Sequence, residues 1–150
     1  MKPINPEMLR YKPNKFGFNA CIFAIVFQCL AFWSIYHCLT FETEIATGLD
    51  IVINIVFLLF VFLASEKLKT YDVKWGKIVI GIGIINLLRI WLYLFSPFSS
   101  ENLVNSIEPF YFYGSIVCYV AVAICLTLGG INTIKKGTIL NEFLKTHKED

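Results

Sequence analysis

The sequence predicts an all-α integral membrane protein: a four-helix antiparallel bundle with both termini in the cytoplasm and short interfacial helices at its two ends. Two observations predict it. The 150 residues are 57% hydrophobic and only 16% charged, where a soluble domain carries about 45–50% apolar and about 25% charged residues. The apolar residues gather in four long runs, and twelve of the thirteen Lys and Arg residues fall in three segments at or beyond the ends of those runs.

The first run covers residues 16–40, the second 45–64, the third 76–95 and the fourth 110–134. Each approaches the roughly 20 apolar residues that a helix needs to cross a hydrocarbon core about 30 Å thick. Strands are excluded, because a lipid-exposed backbone must satisfy its own hydrogen bonds and these runs show no period-two alternation. The first run is too long for a cleaved signal peptide, and no small-residue cleavage pattern follows it. The length suits one domain, residues 1–150.

Orientation follows from the basic residues of short loops, which stay on the cytoplasmic side. Lys2, Arg10, Lys12 and Lys15 precede the first run, and Lys67, Lys69 and Lys74 lie between the second and third, with Lys77 at the start of the third. Lys135, Lys136, Lys145 and Lys148 follow the fourth. The two remaining loops carry only acids, Glu42 and Glu44 in one and Glu101 and Glu108 in the other. With four crossings, all three basic segments share one face. That face would also attract anionic lipid headgroups, at about 1 kcal/mol per basic residue near the surface.

Short amphipathic pieces flank the bundle. Asn5-Pro6 starts a helix carrying Met8, Leu9 and Tyr11, which Pro13 ends. In the tail, Ile139, Leu140, Phe143 and Leu144 share an apolar face opposite Glu142, Lys145 and Lys148, a pattern suited to lying on the inner leaflet. Aromatic residues gather toward the run ends, Trp33, Trp75 and Trp91 among them, as in membrane-interface belts.

Two stripes of small or weakly polar residues are expected to serve as helix-packing faces. In the first run they are Cys21, Ala24 and Ala31, with Gln28 between them. In the fourth they are Gly114, Cys118, Ala121 and Cys125, continuing to Leu128 and Asn132. Helices in lipid gain little from burying apolar surface, so close approach of small residues does much of the joining.

The polar residues inside the runs form the candidate site. Asp50 and Asn54 share a face of the second helix, and Asn86 and Arg89 share a face of the third. Arg89 is the thirteenth basic residue, and an unpaired Arg at a helix centre costs at least about 2.5–3.5 kcal/mol. The expectation is an intramembrane cluster of Asp50, Arg89, Asn54, Asn86 and Gln28, with Arg89 paired to Asp50. It would act as a clamp between the second and third helices or as the lining of a solute pathway.

Catalysis has no foothold in the sequence. His37 and Cys38 are adjacent but project about 100° apart on a helix, and no third group completes a nucleophilic set. The cysteines, five in number, form no CxxC pair and suit small hydrophobes better than a disulfide framework. His37 and His147 are expected on opposite sides of the membrane, which excludes a shared metal site. The glycines of residues 76–83 lack the Lys-Ser/Thr of a phosphate loop, and nothing resembles a nucleic-acid motif. Gly129-Gly130 suits close helix approach or a bend. The sequence therefore points to a non-enzymatic protein without metal or cofactor, a small accessory or structural subunit of a larger membrane complex. A small-solute or ion transporter or channel acting as a homo-oligomer is the alternative. Its partners would be the bilayer and either other membrane subunits or copies of itself. A richness in Ile, Asn, Lys and Phe fits an AT-rich genome and a bacterial cell membrane.

Overall fold

A computed structural model describes residues 6–38, 44–95 and 109–147. Within these, positions 6, 35–38, 44–47, 49, 50, 89, 91–95 and 109 are described by their backbone alone. The described residues are helical, in five elements: α1 (Pro6–Tyr11), α2 (Lys15–Cys38), α3 (Glu44–Lys69), α4 (Val73–Phe95) and α5 (Pro109–Thr146). Three of them hold segments long and apolar enough to cross a membrane: Lys15–Ser34 in α2, Ile51–Lys69 in α3 and Phe110–Thr146 in α5.

Local chemistry explains where the helices stop and start. Asn14, directly after Pro13, caps α2: its side-chain oxygen accepts the Gly17 N–H at 3.1 Å and its carbonyl accepts the Phe18 N–H at 3.1 Å, satisfying donors that have no intrahelical partner. The α3–α4 connection is only Thr70–Asp72. Tyr71 there adopts a left-handed conformation, φ 57°, and donates its N–H to the Leu68 carbonyl at 3.1 Å, which closes the end of α3. Asp72 then caps α4 through the Lys74 N–H at 2.9 Å. Pro109 opens α5, a position where its missing N–H costs nothing.

The tail differs from the expectation of a separate interfacial helix. α5 runs unbroken for 38 residues, about 57 Å, so residues 135–146 continue the fourth run rather than turning away from it. The reason is visible at Gly137, against which the carbonyl of Tyr71 packs with no room for a Cβ. The α3–α4 turn braces α5 there and carries the helix past Lys135 and Lys136. The short N-terminal helix is present as α1, and it packs against α5. The basic residues Lys67 and Lys69 likewise sit on the last turn of α3, and Lys74 and Lys77 lie within α4.

α5 is the spine. It packs most extensively against α2 and α4, while α3 leans chiefly on α2 and meets α4 only sparsely. Contacts along the chain show the directions. The start of α2 meets the end of α3 (Asn14 N–H to the Lys69 carbonyl, 3.0 Å), and Gln28 meets Asn54 farther along. Gly76 lies against Gly130, and Gly83 lies against Ala123. Both pairs are therefore antiparallel.

Glycine sets the spacing at the basic end. A Cβ on Gly129 would lie 3.0 Å from the Cβ of Ala20, and one on Gly130 would lie 2.7 Å from the Gly76 carbonyl oxygen. Adjacent glycines thus let α5 approach α2 on one side and α4 on the other. The apolar core lies beside these contacts and draws on all four long helices: Cys21 and Ala24, Val61, Ala64 and Leu68, Val79, Val122 and Leu126.

Candidate functional site

Beyond the apolar core, moving away from the lysine-bearing ends, the interior becomes polar. Gln28, Asn54, Asn86 and Tyr119 come one each from α2, α3, α4 and α5, and all are almost wholly buried. Counted along its own helix from Lys15, Lys69, Val73 or Lys135, each lies roughly 20–24 Å from the basic end. They therefore form one layer near the middle of the span, where the surrounding lipid offers no hydrogen bonds and polar groups must find partners inside the protein.

Two bonds cross between helices in this layer. The Gln28 side-chain amide donates to Asn54 Oδ1 at 2.9 Å, joining α2 to α3. Asn86 Nδ2 donates to the Tyr119 carbonyl at 3.5 Å, a long bond joining α4 to α5. So the structure brings Gln28 and Asn54 together, and it places Asn86 against α5 instead of α3. The Asp50 and Arg89 side chains lie outside the described residues, and with them the expected ion pair. Their helices place Asp50 one turn outward of Asn54 and Arg89 three residues outward of Asn86.

Around the layer, α3 and α4 each bury a narrow stripe. Val52, Ile53, Ile55 and Val56 are exposed on either side of buried Asn54, and Ile84, Ile85, Leu87 and Leu88 are exposed around buried Gly83 and Asn86. Each helix has one close neighbour at this level, α2 for α3 and α5 for α4. Between α3 and α4 the described residues meet only sparsely.

The expected packing faces fall in two places. Cys21, Ala24 and Ala31 are fully buried on α2. On α5, Gly114, Cys118, Ala121 and Cys125 are half-buried, and a Cβ on Gly114 would meet nothing within 4 Å. The buried face of α5 runs one residue along, through Ser115, Tyr119, Val122, Leu126, Gly130 and Thr133.

A second polar cluster, at the basic end, escapes the sequence reading. Asn14 Nδ2 donates to Thr133 Oγ1 at 2.8 Å, and Asn132 Nδ2 donates to Asn14 Oδ1 at 3.1 Å. Thr133 Oγ1 in turn donates to the Gly129 carbonyl at 2.8 Å. Together with its backbone bond to Lys69, Asn14 ties α2, α3 and α5 at one point. Its signal in the sequence is the Pro13-Asn14 pair directly ahead of an apolar helix. No buried side-chain atom of Asn14 or Thr133 is left without a partner, which suits a tie between helices.

Among the described residues no group of three His, Cys, Asp or Glu side chains is arranged to hold a metal ion. No protein-family model matches the chain, and no curated protein and no solved structure matches it.

Proposed function

We propose that the chain is a four-crossing protein of the cell membrane, both termini cytoplasmic, acting without catalysis as a small accessory or structural subunit of a larger membrane complex. α4 supports the fourth crossing: its 23 residues span about 34 Å, and it runs antiparallel to α5. The distribution of lysines supports the orientation, with Lys15, Lys69, Lys74 and Lys135 all near one end of the helices.

The observation that carries the subunit reading is the uneven closure of the helices. α2, α4 and α5 are drawn together by glycine, whereas α3 is held mainly by α2 and leaves the α3–α4 side open to a further helix. The cytoplasmic extension of α5, with α1 against it, supplies a second surface continuous with the first assembly.

The test is purification from native membranes in mild detergent, followed by substitution on the open side. A stoichiometric partner retained by the wild-type chain and lost by Val56→Trp, which stays apolar but adds bulk at an exposed position of α3, supports the subunit reading. A lone homo-oligomer unaffected by that change counts against it.

The polar layer favours a second reading, a transporter or channel for a small solute or ion. On that reading Asp50→Asn and Arg89→Gln abolish flux while the oligomer persists. Unchanged flux with lowered thermal stability in both variants identifies the pair as a clamp between helices.

A further inference from the structure

Two amide oxygens in the mid-membrane layer have no hydrogen-bond donor: Oε1 of Gln28 and Oδ1 of Asn86. Both side chains are buried, at 0% and 1% exposure. Each amide uses its nitrogen to hold a neighbouring helix and leaves its oxygen facing the interior. An acceptor sealed in hydrocarbon without a donor is costly, and folded proteins meet that cost with an enclosed water making two to four bonds.

The surroundings suit such a guest. Ala24 and Ala31 lie one turn to either side of Gln28, and Gly83 lies one turn from Asn86; all three are buried. None of the three brings a side-chain donor that could satisfy either oxygen. α2 and α4 both pack on α5, and the two oxygens lie at one depth along it. Both are acceptors, which requires a donor. None of the four residues of the layer carries a formal charge, so the layer itself selects neither a cation nor an anion.

We infer that the mid-membrane layer is a binding site for a small neutral hydrogen-bond donor, occupied by water that donates to both Gln28 Oε1 and Asn86 Oδ1. The site goes beyond the proposed function and exists whether the chain is a subunit or a transporter.

Gln28 is the only glutamine in the chain, so glutamine labelling reports on this site alone. The experiment is water-edited solid-state NMR of the full chain in lipid bilayers, following transfer of proton magnetisation from water into the Gln28 side-chain carbonyl. The alanine methyl signals of the spans serve as the dry reference. The expected result is a Gln28 signal that builds severalfold faster than that reference, and a slowing of that build-up in Asn86→Leu. Build-up as slow as the methyl groups overturns the proposal. Fast build-up that Asn86→Leu leaves unchanged overturns the shared site. The wild-type measurement decides occupancy even where the variant fails to fold.

Discussion

At the scale of single residues, glycine and asparagine position the helices. Gly130 sits where a Cβ would lie 2.6 Å from Ile80 Cγ1 and 2.7 Å from the Gly76 carbonyl oxygen. The backbone partner cannot yield cheaply, so Gly130→Ala should lower thermal stability in detergent by about 1–3 kcal/mol, the usual cost of overpacking. Gly81 is the matched control, because a Cβ there meets nothing within 4 Å. Gly81→Ala should be neutral or should stabilise by up to about 1 kcal/mol through helix propensity. Equal losses in the two variants would mean that α4 and α5 are not in contact at Gly130. The sequence makes the glycine pair visible as a place of close approach, but it does not say which helices approach. Asn14 is harder to find, since its cap is local and its bonds to Asn132 and Thr133 span more than a hundred residues.

At the scale of elements, hydropathy locates the helix starts well and the C-terminal ends of α3 and α5 poorly. The runs begin at 16, 45, 76 and 110, and the helices begin at Lys15, Glu44, Val73 and Pro109. The second run ends at 64 and the fourth at 134, yet α3 continues to Lys69 and α5 to Thr146. Hydropathy registers solvent preference, whereas a helix continues across the interface as long as its backbone bonds and side-chain contacts persist. The packing face of α5 is anticipated only at its margin. Small residues on α2, Cys21 and Ala24, share a cluster with the larger Val122 and Leu126 of α5, and Cys125 packs against that cluster, so the stripe of small residues borders the most deeply buried positions of α5. The continuity of α5 is measurable by spin labels at Leu128→Cys and Lys145→Cys in a cysteine-free background. An unbroken helix separates the two backbones by about 26 Å, whereas a right-angle bend at Lys135 shortens this to about 18 Å. A narrow distribution near the longer distance is expected. One centred near the shorter would mean that the tail lies on the leaflet.

At the scale of the whole molecule, direction and charge have to agree. Helices α2 and α3, α4 and α5, and α2 and α5 all run antiparallel, so Lys15, Lys69, Lys74 and Lys135 come to the same end. The sequence supplies the charge map. The structure adds that Asn14 bonds to the end of α3 and the middle of α5, and that Gly137 abuts the α3–α4 turn, which gathers those lysines into one zone. If that zone is cytoplasmic, reporters fused to either terminus should be active only on the cytoplasmic side, and one inserted between residues 96 and 108 only outside. Orientation should also depend on the lysines together more than on any one of them, because the positive-inside bias sums over short loops. Replacing Lys67, Lys69, Lys74 and Lys77 with Gln should therefore leave most chains correctly oriented, held by the basic residues of the two ends. Removing Arg10, Lys12 and Lys15 as well should produce a mixed population by protease protection. A uniform orientation after both sets of changes would show that the remaining basic residues, chiefly those of the C-terminal end, together with helix packing around α5 suffice to decide which way the protein faces.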